Sequence, residues 1–119
     1  MAEAALFIGW GEPARGREKG VLEIFNESMQ YWGRLQQEGK IERFDVAFLG
    51  PHGSDLAGFA LLRGTAQQID SVRREEEFQR LVARVRLRVD VLGLVDAIVD
   101  EELAQQMSYY QDAVTELDC

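Results

Sequence analysis

The stretches of this chain with a two-residue apolar period are apolar on both faces, while the helical stretches between them suffice to cover only one. Ala4–Trp10 (AALFIGW) reads as a strand, with Ala4, Leu6, Ile8 and Trp10 on one side and Ala5 and Phe7 on the other. Over Ile41–Leu49, Phe44, Val46 and Phe48 alternate with Asp45, Ala47 and Leu49; Leu56–Arg63 (LAGFALLR) and Val91–Val99 (VLGLVDAIV) complete the set. A sheet with one wetted face would carry polar residues at alternate positions instead. Leaving such a face bare costs roughly 25 cal/mol per Å², and monomers rarely expose an apolar patch beyond a few hundred Å². A second covering layer is therefore expected, most simply another copy of the chain. The competing arrangement has the last helix folding beneath the sheet within one molecule.

Between these strands the period changes to that of a helix. From Glu18 to Glu38, Val21, Phe25, Met29, Trp32 and Leu35 recur at three- and four-residue spacing, flanked by Leu22 and Ser28, and Gly39 follows as a terminator. Thr65 and Gln68 have the spacing of a capping box. Beyond them, the stripe of Ile69 and Val72 is out of phase with that of Phe78, Leu81, Val82, Val85 and Val89, which predicts a bend near Arg73–Glu75. After Asp100, a candidate N-cap, Leu103, Met107, Tyr110, Val114 and Leu117 mark an amphipathic final helix.

The resulting order is β-α-β-β-α-β plus a helix, across a single domain of residues 1–119. The link between the second and third strands, GPHGSD at Gly50–Asp55, is too short for a parallel crossover and disfavours an open parallel α/β sheet. With right-handed crossovers the fold class is α+β, a ferredoxin-like antiparallel sheet with its first and third strands central and the paired helices on one face. A net charge of −8 argues against a nucleic-acid partner. The apolar run Ala4–Ile8 is too short to span a membrane and has no basic leader, so neither a membrane partner nor a signal peptide is expected. The one cysteine, Cys119, permits no intrachain disulfide, and cytoplasmic location is the expectation.

Over Ala4–Val99 the element order, the doubly apolar strands, the long first helix and the bent second one together resemble the dimeric α/β-barrel superfamily. Its members pack two ferredoxin-like sheets face to face. The resemblance implies a homodimer. It also implies a range of activities that fold alone does not separate: cofactor-independent monooxygenases, isomerases and cyclases, and haem-handling enzymes. No haem-ligand pattern carries over to this chain, and one histidine with one terminal cysteine offers no metal-ligand spacing. No cofactor is expected.

The topology brings Trp10, Gly11, Glu12, Arg15, Arg17, the turn bearing His52 and Asp55, and Asp90 to one end of the sheet. His52, the only histidine, with Asp55 three residues on, is the candidate general base; the alternative is a plain solvent-exposed turn. Trp10, Tyr31 and Arg15 are the candidate ligand-binding residues: two aromatic walls and a cation near a helix N-terminus. The Gly9–Gly20 loop matches no dinucleotide or phosphate-loop fingerprint. The functional expectation is a homodimer binding a small, aromatic or oxygenated organic molecule between sheet and helices, acting as a cofactor-independent monooxygenase or isomerase. The alternative is a non-catalytic structural or protein-interaction domain.

Overall fold

The computed structural model describes residues 4–117, so Cys119 lies outside the described residues. The elements are β1 (Ala4–Trp10), α1 (Glu18–Gln37), β2 (Arg43–Phe48), β3 (Gly58–Gly64), α2 (Ala66–Arg74), α3 (Glu76–Arg86), β4 (Gly93–Ala97) and α4 (Asp100–Leu117). The strands form one antiparallel sheet in the order β2-β3-β1-β4, the ferredoxin-like arrangement with β1 and β3 central.

Register sorts the side chains into rows. On the helix-facing side run Phe44, Leu62, Leu6 and Asp96; then Val46, Ala60, Ile8 and Leu94; then Phe48, Gly58 and Trp10. Leu6 and Leu62 are fully buried and form the centre of a core completed by Ile24, Trp32 and Leu35 of α1, Ile69 and Val72 of α2, and Phe78 and Leu81 of α3.

The opposite face carries Arg43, Arg63, Ala5 and Ala97; then Asp45, Leu61, Phe7 and Val95; then Ala47, Phe59, Gly9 and Gly93. Its apolar centre is real: Phe7 and Phe59 stack with centroids 5.3 Å apart. The expectation of apolar residues on both sides of every strand nevertheless fails at β2, whose outward side presents Arg43 and Asp45. That edge is polar because Asp45 pairs with Arg43 and with Arg63 of β3. Asp96, unusual for a strand, faces the helices and pairs with Arg73 of α2 at 2.8 Å.

Local signals place the helices. Thr65 Oγ1 accepts from the Gln68 backbone N–H and Gln68 Oε1 accepts from the Thr65 N–H, closing the capping box. The phase change in the second helical region becomes a sharp elbow, in which Glu75 is extended and ends α2 while beginning α3. Two contacts pin that elbow: Tyr31 Oη of α1 donates to Glu75 at 2.8 Å, and Lys40 Nζ, just beyond the end of α1, lies 3.1 Å from the same carboxylate. Burial, reinforced by the bond to Glu75, pushes the Tyr31 hydroxyl pKa upward.

The last helix does not close the sheet. No α4 residue is buried, and the apolar stripe of Leu103, Met107, Tyr110, Val114 and Leu117 is exposed. Asp100, at φ 52°, turns the chain away and sits 3.7 Å from Arg63 on the outer face. The radius of gyration is accordingly 16.7 Å, against about 13–14 Å for a compact domain of this length.

Candidate functional site

A cavity of about 260 Å³ lies between the sheet and helices α1 and α3, at the loop-bearing end. Its origin is a mismatch of size along β3. Leu62 fills its place in the core, but the next two helix-facing positions toward the loops are Ala60 and Gly58, too small to reach the helices above. Trp10 and Phe48 meet edge to face across Gly58, with centroids 6.3 Å apart, and Phe25 of α1 completes the trio. Gly58 is required there: a Cβ would stand 2.8 Å from the Ala47 carbonyl oxygen and 2.9 Å from the Trp10 ring.

The rest of the wall comes from Val21, Ile24, Ser28 and Trp32 of α1, and from Leu81, Val82 and Val85 of α3. Ser28 supplies the only side-chain hydroxyl in the lining, and that group already donates to the Ile24 carbonyl at 2.8 Å. The wall is thus almost wholly apolar, the indole N–H groups of Trp10 and Trp32 being the other side-chain donors on its residues. Leu22 and Phe48, each 68% exposed, also line it and mark where it meets solvent. Both tryptophans of the chain belong to it.

Of the residues singled out in the sequence, Trp10 lines this cavity. Tyr31 does not: it is 2% exposed, packs against Trp32 with centroids 5.2 Å apart, and engages Glu75 through its hydroxyl. The single α1 stripe expected from spacing is broader in the structure, because α1 faces both the sheet and the α2–α3 layer. Ile24 and Tyr31 are buried, whereas Val21, Phe25 and Ser28 stay half-buried beside the cavity.

The expected gathering of loops occurs. The Gly11 N–H donates to Asp90 O, the Asp90 N–H to Glu12 O, and the Ala57 N–H to Trp10 O. The Asp55 carbonyl approaches Gly11 closely enough that a Cβ there would come within 3.0 Å. His52 and Asp55 therefore share this end of the molecule, yet outside the cavity wall. The His52 imidazole bonds through Nε2 to the Leu56 carbonyl at 2.8 Å, an interaction within its own loop. Arg15 is exposed in the β1–α1 loop. At the N-terminus of α1, Glu18 supplies its own carboxylate, which accepts from the Gly16 N–H. Among the described residues no cluster of three or more His, Cys, Asp or Glu side chains could hold a metal ion, and no helix is long and apolar enough to cross a membrane.

No protein-family model matches the sequence, and no curated protein matches it either. Several solved chains match in fold, two of them as follows. A dimeric protein of unknown function with a ferredoxin-like fold, from Bacteroides fragilis, aligns with a TM-score of 0.57 at 12% identity over 81% of this chain and 96% of that one. SnoaB, a cofactor-independent oxygenase from Streptomyces nogalater, aligns with a TM-score of 0.55 at 10% identity over 84% of this chain and 96% of that one. At such identities the likeness is one of fold. It agrees with the ferredoxin-like strand order of this chain.

Proposed function

We propose that this chain forms a homodimer in which each copy binds a small, apolar, aromatic molecule in the cavity between sheet and helices. The observation that carries the reading is the cavity's volume together with its wall: about 260 Å³, with Trp10, Phe25, Trp32 and Phe48 around it and an almost wholly apolar surface within. A dry apolar cavity of about 150 Å³ is enough for a single benzene ring, so this one suits a fused or substituted ring system. The dimer is supported by the unpartnered Phe7–Phe59 face and by the dimeric state of the Bacteroides fragilis structure.

The test uses the two tryptophans as reporters. Titration with N-phenyl-1-naphthylamine should change their emission saturably, at one probe per chain. A linear, non-saturating response would end the binding proposal.

A second reading makes the same cavity a reaction chamber, supported by the fold shared with the Streptomyces nogalater oxygenase. In it the chain works as a cofactor-independent monooxygenase or isomerase. His52, assisted by Asp55, serves as general base for the part of a substrate that protrudes toward the loops, with Arg15 nearby as the anion-holding group. Under that reading His52→Ala abolishes turnover of a bound substrate and leaves the tryptophan titration unchanged. Unaltered turnover in the variant would remove His52 from the chemistry.

A further inference from the structure

The least accounted-for element is α4. Its apolar residues Leu103, Met107, Tyr110, Val114 and Leu117 follow one another at intervals of four, three, four and three, the spacing of a seam that packs against one partner surface. Yet no residue of the helix is buried. An isolated helix of this length is marginal in water, and most helical stability comes from packing an amphipathic face. α4 is therefore built for a surface that its own molecule does not supply.

We infer that α4 is an intersubunit arm, its apolar seam lying on a second copy of this chain. The inference rests on the homodimer proposed above and says how that dimer is held. Continuity is the first argument. Asp100 anchors the start of α4 to Arg63 on the outer face of the sheet, the face that also carries Phe7, Phe59, Leu61 and Val95. A second molecule docking on that face meets the emerging helix.

Area is the second argument. Four strands about 4.8 Å apart and some six residues long give a flat footprint of roughly 400 Å² per copy. Stable interfaces bury about 800 Å² per partner. The sheet alone supplies roughly half of that, and the polar β2 edge at Arg43 and Asp45 reduces its apolar share further. An arm about 27 Å long, with a continuous apolar seam, extends that contact.

Charge is the third argument, and it selects the surface. α4 carries Asp100, Glu101, Glu102, Asp112 and Glu116 and no lysine or arginine. Pairing two such helices with each other would set like charges along the seam. Along the β2 edge of the outer sheet face the balance has the opposite sign, with Arg43 and Arg63 against the single carboxylate of Asp45 that pairs with both.

The test is sedimentation equilibrium on the full-length chain over a wide concentration range, with two variants. Met107→Glu/Val114→Glu alters the seam at positions 51% and 40% exposed in one copy, so the monomer fold is spared. Val95→Glu alters the sheet face. The expected result is a dimer in the unmodified chain, with the dissociation constant raised roughly tenfold or more by either variant. Hydrogen exchange should show α4 amides protected in the dimer and fast-exchanging in Val95→Glu. If the unmodified chain is monomeric throughout, the dimer itself fails and the arm with it. If Val95→Glu weakens the dimer while Met107→Glu/Val114→Glu leaves both its dissociation constant and α4 exchange unchanged, the arm alone is overturned.

Discussion

Replacing Ser28 by leucine should stabilise the protein and abolish its ligand binding in one step. Ser28 faces the cavity from α1, and its hydroxyl does no more than bond to Ile24 O one turn back. Leucine places an isobutyl group where a hydroxymethyl stood, facing a space of about 260 Å³. At ~0.8 kcal/mol per buried methylene-sized group, the added carbons contribute roughly 2 kcal/mol. Loss of the hydroxyl hydrogen bond costs about 1 kcal/mol, and leucine's better helix propensity adds a few tenths in its favour. The net expectation is a gain of about 1 kcal/mol, or roughly 4 °C in Tm for a domain of this size. Thermal unfolding by circular dichroism measures the gain, and the naphthylamine titration measures the loss of binding. A destabilised Ser28→Leu would show that the space between α1 and β3 is not free. A stabilised variant with undiminished probe affinity would show that the probe binds elsewhere.

Further outcomes follow from the backbone and from Tyr31. Val91, a β-branched residue at φ 55° and 67% exposed, sits in the left-handed region, so Val91→Gly should raise stability by about 0.5–1 kcal/mol in urea denaturation. Gly58→Ala should do the reverse, because the new methyl meets the Ala47 carbonyl on one side and Trp10 on the other; a shifted tryptophan emission maximum would accompany a lower Tm. Tyr31, whose hydroxyl pKa is raised in the folded state by burial and by Glu75, adds stability that is fully present below its unfolded value of ~10 and lost as pH rises above it. Stability should therefore decline above about pH 10, by up to ~1.4 kcal/mol per pH unit from this group. In Tyr31→Phe that component of the slope should vanish, alongside a loss of about 1 kcal/mol at neutral pH.

Much of the architecture is legible in the chain because the relevant signals are local. Ala4–Trp10 is a short apolar run that ends at a glycine-rich loop, and it forms β1 over those same residues. The Thr65–Gln68 box and the phase slip between Val72 and Phe78 announce a capped helix and its elbow without reference to anything distant. Trp10 was visible as a cavity residue because it ends a central strand beside the loops. The cavity itself was not, since a void arises from the sum of sizes across three elements. Ala60 and Gly58 look unremarkable in LAGFALLR until Ser28 and Val85 are brought over them. Tyr31 lies outside the cavity wall for a related reason: a helix packed against two surfaces buries a broader arc than a single stripe, and Tyr31 lies on the added part. The pairing along the polar β2 edge shows only in the folded sheet, where Asp45 sits opposite Leu61 and reaches diagonally to Arg63.

The alternation along β3 has a consequence for how such a protein can change. Ala60 forms the floor of the void, while its immediate neighbours Phe59 and Leu61 look out from the other side of the sheet. Enlarging Ala60 by a methyl or two would narrow the range of guests without disturbing self-association. Altering Phe59 or Leu61 would retune self-association and leave guest selection alone. Under the proposed dimer and binding mode, adjacent codons thus govern separable traits, and a lineage carrying this strand can explore one while holding the other constant.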